Sequence, residues 1–156
     1  MPTADKIYSL DSLIDKRKEW KDQKVVFTNG CFDILHLGHV DYLEKAAAKG
    51  DKLIVALNTD ASVSKLKGPT RPVNNENARG RIIAALAFVD AVIFFSDDIP
   101  LSLIKQLKPD ILVKGSDYKI SNIVGANIVI ENGGKVETID LVEGYSTTNI
   151  INKINQ

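Results

Sequence analysis

The sequence predicts an α/β protein, a three-layer sandwich with helices on both faces of a mostly parallel β-sheet. Two observations carry this reading. Short apolar runs alternate along the chain with segments of helical periodicity. The runs are continuously apolar, Leu53-Ile-Val-Ala-Leu57 above all, as strands buried on both faces require. No internal repeat, low-complexity tract or interdomain linker interrupts the 156 residues, a length that suits one domain.

The elements follow in order. Ser9 to Trp20 reads as a short helix with Leu10, Leu13, Ile14 and Trp20 on its apolar side. Lys24 to Thr28 is a strand closed by Asn29-Gly30. A helix then runs from His39 with Val40, Leu43 and Ala47 on one face, and Gly50 marks its end. After the strand at 53–57, Lys67 to Asn75 is too rich in Pro, Gly and Asn to be regular and forms a surface loop suited to function. Asn74 or Asn75 caps a helix carrying Ile82, Ile83 and Leu86, and Ala91 to Phe95 is a strand. Asp98-Ile-Pro100 opens a helix that Pro109 ends; Ile111 to Val113 is a strand. Ser121 to Glu131 reads as a helix stopped by Gly133-Gly134, Val136 to Val142 as the last strand, and Ser146 as the cap of a final helix. Residues 1–23 stand as an N-terminal helical extension to a single domain at 24–156.

In such sheets ligands bind beyond the carboxyl ends of the strands, where the strand order reverses. The loops after Thr28, Leu57, Phe95, Val113 and Val142 are therefore the places to look. Composition narrows the chemistry. Twenty Lys and Arg balance twenty Asp and Glu, which argues against a general nucleic-acid or acidic-membrane binder. A lone Cys31 rules out an internal disulfide and fits a reducing cytoplasm; no leader or membrane-spanning run is expected.

The loop Thr28-Asn-Gly-Cys-Phe-Asp-Ile-Leu-His-Leu-Gly-His39 is neither a Walker A loop nor a G-x-G-x-x-G fingerprint. It sets His36 at a helix mouth, Gly38 where a ligand approaches the backbone, and His39 in the first turn. Free N–H groups and the helix dipole there favour an anion, and two imidazoles can donate to phosphate oxygens. One histidine at a helix start is an ordinary polar residue. As the only two in the chain, bracketing a glycine after a parallel strand, His36 and His39 read as a functional pair. They are too few for a metal site, and no protein metal ligand is assigned. Between Lys65 and Arg81 lie five cations and one acid, leaving 15 positive and 19 negative charges elsewhere. That run is a solvated face or a phosphate clamp. Lys114 and Gly115, just past a buried strand, read as ligand-facing, and Asp117 stays undecided. Of Ser146-Thr-Thr148, Ser146 suits a cap and Thr147 or Thr148 a ligand.

This series of motifs resembles the cytidylyltransferase-like nucleotidyltransferase superfamily. The signature loop is joined by Asn58-Thr-Asp60, Leu66-Lys-Gly68 with Arg71-Pro-Val73, Asn77-Ala-Arg79, Val113 to Tyr118 and Gly144 to Ile151. In that order they are similar to the adenylyltransferase domains of the ADP-heptose synthase family. Asn149 stands where many members of the wider superfamily have Arg, in keeping with the heptose branch. The resemblance implies a dinucleotide-fold-like sheet of nucleotidyltransferase type. It also implies transfer of AMP from ATP to heptose 1-phosphate, in supply of lipopolysaccharide core heptose, with release of pyrophosphate. The alternative is a cytidylyl- or adenylyltransferase for another alcohol or sugar phosphate, such as glycerol 3-phosphate.

Catalysis then falls to His36, His39 and Lys67. The nucleotide lies against Asn29, Gly30, Cys31, Phe32, Arg79, Lys114, Gly115, Ser146, Thr147 and Thr148, with Cys31 a small packed residue. The sugar phosphate meets Asp33, Asn58, Asp60, Lys67 and Asp117, and Asp33 orients a histidine or the metal or merely stabilises its turn. Mg²⁺ enters through the ATP phosphates. A homo-oligomer in the cytoplasm and a separate upstream sugar kinase complete the expectations.

Overall fold

The computed structural model describes residues 1–97 and 99–156. Asp98, expected to help open a helix, lies outside the described residues. The described elements are α1 (Leu10–Glu19), β1 (Val25–Gly30), α2 (Leu37–Ala47), β2 (Lys52–Asn58), α3 (Asp60–Lys67), α4 (Glu76–Ala84), β3 (Ala91–Phe95), α5 (Leu101–Leu107), β4 (Ile111–Gly115), α6 (Ala126–Glu131), β5 (Lys135–Ile139) and α7 (Thr147–Ile154). Five strands form one sheet in the order β3-β2-β1-β4-β5, every pairing parallel.

Because side chains alternate along a strand, each apolar run feeds two cores at once. Val25 and Phe27 join Ile54, Ala56 and Leu112 beneath α1, α5 and α6. Val26 joins Leu53, Val55, Leu57 and Val113 beneath α2 and α4. This double burial is why the strands lack polar alternation. No helix among the described residues is long and apolar enough to cross a membrane.

The first 23 residues share this core. Leu13 is fully buried, Trp20 nearly so, and both pack with Val25 and Phe27. Asp110 fastens the helix to the sheet, its carboxylate accepting from Arg17 Nη2 at 2.9 Å and from the Val25 N–H at 2.8 Å. Ile7 bridges Val92 at the outer edge of β3. Leu13 and Trp20, in the expected N-terminal extension, thus lie in the same core cluster as the strands of the domain.

Three elements differ from expectation. Helix α3 occupies a stretch the sequence left unassigned; Thr59 caps it, and Ser62 and Val63 are buried. The helix expected from Ser121 begins only at Ala126, after a 3₁₀ turn at Ile120–Asn122. Gly125 separates the two at φ +84°, where a Cβ would also strike Ile104. The last strand ends at Ile139, freeing Leu141 and Val142 to turn toward the strand ends.

Truncating a fully packed leucine costs about 2–5 kcal/mol. Leu13→Ala should therefore lower the urea midpoint strongly, read from the single tryptophan, whereas Ile154→Ala at the exposed C-terminal helix should leave it within error.

Candidate active site

The strand order reverses between β1 and β4, so the connections leaving these neighbours run to opposite sides. Their pairing runs through Val26–Ile111 and Phe27–Leu112. Beyond it the Val113 carbonyl lies 3.0 Å from Thr28 Oγ1 and 3.1 Å from Tyr42 Oη, hydroxyls themselves 2.7 Å apart. Side chains have replaced the ladder, and the strands part into a cleft of about 600 Å³.

The signature loop forms its floor. Gly30 lies where a Cβ would meet the Phe32 ring at 2.8 Å, and Phe32 takes the left-handed region at φ +47°. Such strain in a non-glycine residue is held only by its surroundings. His36 caps α2 in extended conformation without a side-chain cap bond, so no capping side chain takes up the first N–H groups of α2, although that of His39 donates to the His36 carbonyl. A Cβ at Gly38 would press on the His36 ring at 3.0 Å and on Tyr145 at 3.3 Å, so glycine gives the tightest fit there without displacing them.

His36 and His39 stack with ring centroids 3.7 Å apart, and Phe32 meets His39 edge-on at 5.0 Å. Both Nδ1 atoms are buried without a partner among the described residues. Burial lowers the His36 pKa. Burial, then the proximity of His36, pushes His39 down to about 4, against weaker pulls from the Ile34 carbonyl and Asp33. At neutral pH the pair is therefore uncharged and offers hydrogen bonds rather than fixed charge.

The two walls differ in chemistry. On the β2 side stand Asn58, Leu66, Lys67 and Arg71. On the β4–β5 side stand Lys114, Gly115, Asp117, Tyr118, Leu141, Val142, Tyr145 and Ser146 to Thr148. Lys114 donates to the Asn29 carbonyl at 3.2 Å and lies 5.0 Å from the Tyr118 ring; burial lowers its pKa, against Asp117. Ser146 accepts from the Asn149 N–H as the cap of α7, which leaves the Thr147 and Thr148 hydroxyls to the cleft.

Most of the expected residues converge here, namely Asn29, Gly30, Cys31, Phe32, Asp33, His36, His39, Asn58, Lys67, Lys114, Gly115, Asp117, Ser146, Thr147 and Thr148. Two expected residues do not. Arg79 is fully buried, giving Nε to the Asn74 carbonyl, Nη1 to the carbonyls of Cys31 and Asn58, and Nη2 to Asp60. It is a strut between loops, with no free fork for phosphate. Asp60 goes with it, pairing with Arg79 at 2.9 Å outside the cleft lining.

Asp33 reaches the cleft wall, but its carboxylate is spent on the turn. It accepts from Arg71 Nε at 2.6 Å and from the N–H groups of Val73 and Asn74 at 2.9 Å. Burial alone would raise its pKa, yet these donors hold it below the usual carboxylate range. Of its expected roles, the turn is the one its bonds fill. Burial raises the Cys31 thiol, although Lys67, Arg79 and Arg71 pull it down, so it stays protonated at neutral pH. Sequence reasoning missed Arg71, Tyr42, Tyr118, Leu141 and Tyr145. Arg71, Tyr118 and Tyr145 stood inside the motif segments; Tyr42 and Leu141 carried no local signal.

Comparison with known proteins agrees with this geometry. The cytidylyltransferase-like family model matches residues 27–153. The chain is 54% identical to the bifunctional protein HldE of Methylobacillus flagellatus over 97% of its length and 31% of that protein's. It is 62% identical to the bifunctional protein HldE of Gluconobacter oxydans over 82% of this chain and 27% of that one. It thus spans under a third of the curated relatives it matches. The crystal structure of a lipopolysaccharide core biosynthesis protein from Thermoplasma volcanium GSS1 superposes with a TM-score of 0.61 at 30% identity, covering 80% of this chain and 99% of that one. A pantoate-beta-alanine ligase from Francisella tularensis, at 18% identity and a TM-score of 0.64, covers 95% of this chain and 77% of its own and shares the fold.

Arg79→Ala leaves one buried and two part-buried carbonyls without their donor and the 40% exposed Asp60 without its partner, so it should cost about 1–3 kcal/mol in urea unfolding, with Arg79→Lys restoring only part. The depressed His39 pKa favours the neutral ring in the folded chain. Its contribution is fully present above about 6.5 and is lost as pH falls toward about 4. Urea midpoints followed across that window should fall less steeply in His39→Asn than in the parent chain.

Proposed function

This chain belongs to the cytidylyltransferase-like family, and we propose that it transfers the adenylyl group of ATP to heptose 1-phosphate, giving ADP-heptose and pyrophosphate. The observation that carries the reaction class is the neutral, stacked histidine pair at an uncapped helix N-terminus, set at the switch point between unlike walls. A nucleotide has the matching asymmetry, with a flat base at one end and a polyanion at the other. The high identity to HldE proteins and the motif series support the heptose acceptor.

The acceptor phosphate is its own nucleophile. With a second pKa near ~6 it is largely dianionic at neutral pH, so no protein base is needed. Its oxygen attacks the α-phosphorus in line, forming the new P–O bond as the bond to the β-phosphate breaks and pyrophosphate leaves with the electron pair. The protein's task is to align two anions and answer the charge that develops. His36, His39 and the first N–H groups of α2 donate to the α-phosphate and the leaving oxygen. Lys67, exposed at the end of α3, follows the phosphates as a mobile charge. Lys114, Thr147 and Thr148 complete the nucleotide side, with Tyr118, Leu141 and Tyr145 offering surface to the base.

Among the described residues no three His, Cys, Asp or Glu side chains converge to hold a metal, and Asp33 is already engaged. We therefore treat Mg²⁺ as part of the Mg–ATP substrate, where it offsets phosphate charge. The chemistry requires a kinase upstream to phosphorylate the sugar at C1. The reading places the reaction in the cytoplasm, where ATP is supplied, and in a homo-oligomer, as the family resemblance implies.

A coupled pyrophosphate-release assay with ATP and heptose 1-phosphate should give robust turnover, and CTP or glycerol 3-phosphate little; the reverse preference would overturn the acceptor assignment. His36→Ala and His39→Ala should each lower kcat by about 10²–10³-fold, the range seen for removing one transition-state donor. Wild-type-like turnover in either variant would sink the mechanism.

A further inference from the structure

Among the cations of the 65–81 run, Arg71 is held in a way the reaction outlined above does not use. Its Nε donates to Asp33 Oδ2 at 2.6 Å, and its own carbonyl accepts from Ser64 Oγ at 2.6 Å. The next residues are pinned to the same carboxylate through the N–H groups of Val73 and Asn74, and Asn74 Nδ2 returns to the Asp33 carbonyl at 2.9 Å. Backbone and side chain are therefore both fixed from the signature loop. The guanidinium lines the cleft beside Lys67, with only 14% of the side chain exposed. Among the described residues Nη1 and Nη2 donate to no protein atom.

A guanidinium anchored through Nε presents its two Nη groups as a planar fork, the geometry that takes two oxygens of one phosphate. The two Nη groups are not among the buried polar atoms that lack a partner, so they reach solvent and are open to an anion that enters the cleft. Asp33 offsets part of the charge but offers nothing to the Nη side. The opposite wall cannot do the same work. Its one cation, Lys114, already donates to Asn29 and has its charged form disfavoured by burial.

We propose that Arg71, locked by Asp33, is a phosphate-binding fork on the β2 side of the cleft. It grips a terminal phosphate group with both Nη atoms while Lys67 adds a mobile charge. This deepens the adenylyl-transfer reading and rests on it for the identity of the phosphates. Two groups fit the chemistry, the phosphate of the sugar acceptor and the β- or γ-phosphate of ATP. In-line transfer puts them on opposite sides of the α-phosphorus, so the fork serves one of them.

The test compares the parent chain with Arg71→Ala and Arg71→Lys. Steady-state kinetics are run against ATP and heptose 1-phosphate, with calorimetric titration of each compound alone. Loss of a charge-assisted bidentate contact should weaken one substrate by about tenfold or more in KM and Kd and leave the other within about threefold, while the loss of Asp33's partner lowers the melting temperature in Arg71→Ala. Arg71→Lys should fall between. A loss confined to ATP assigns the fork to the triphosphate, and one confined to heptose 1-phosphate assigns it to the acceptor. Unchanged binding of both substrates in Arg71→Ala overturns the fork, as does equal weakening of both, which would reveal a packing role only. Failure of the parent chain to release pyrophosphate would instead overturn the adenylyl-transfer reading, while the titrations still decide the fork. A parent chain that binds neither compound overturns both.

Discussion

The buried guanidinium of Arg79 is the interaction on which the geometry of the cleft depends. A charge with no solvent exposure must be met by protein acceptors, and here these come from three separate segments. The Cys31 carbonyl belongs to the signature loop, the Asn58 carbonyl to the end of β2, and the Asn74 carbonyl to the loop before α4. Each carbonyl lies in backbone that no sheet ladder or helix satisfies. One side chain thus replaces the secondary structure missing at the strand ends. Because its donors are coplanar and fixed, it sets the spacing of the loops as well as their attachment. Asp33 does the complementary work from the other direction, its single carboxylate gathering Arg71, Val73 and Asn74.

With the loops fixed, burial decides the charge state of the groups they carry. The same desolvation that makes Arg79 a strut lowers the pKa of His36, His39 and Lys114 and raises that of Cys31. The histidine pair at the centre of the cleft is consequently neutral, while positive charge stays with the Lys67, Arg71 and Lys114 side chains around it. The parting of β1 from β4, held by the Thr28 and Tyr42 hydroxyls, gives these donors a space to face.

Much of this was legible in sequence because it rests on local pattern. Continuously apolar runs marked strands covered on both faces, and Ser9, Asn75 and Ser146 marked helix starts that the structure caps with those side chains. The His-x-Gly-His segment stood out because the chain's two histidines bracket a glycine at a helix mouth, and the structure sets all three in the cleft lining. Helix α3 was hidden because its eight residues carry only Ala61, Val63 and Leu66 as apolar positions, too few for a periodic signal. Its stability comes from docking Ser62 and Val63 on the sheet. The helix before Gly125 was overread because periodicity does not register the positive φ at Gly125.

The sequence by itself determined the fold class, the strand ends that matter, and the histidines, Lys67, Lys114 and hydroxyls that meet there. These follow from near-neighbour chemistry, which a linear pattern records. Only the tertiary structure decided how the cations divide their labour. Arg71 and Arg79 are eight positions apart and equally charged on paper. One is exhausted by three carbonyls and a carboxylate, and the other is held by a single bond with its fork turned to the cleft. That difference is set by acceptors up to 48 positions away in the chain, Cys31 and Asp33 among them. Burial and partner geometry are properties of the assembled chain, and no local pattern encodes them.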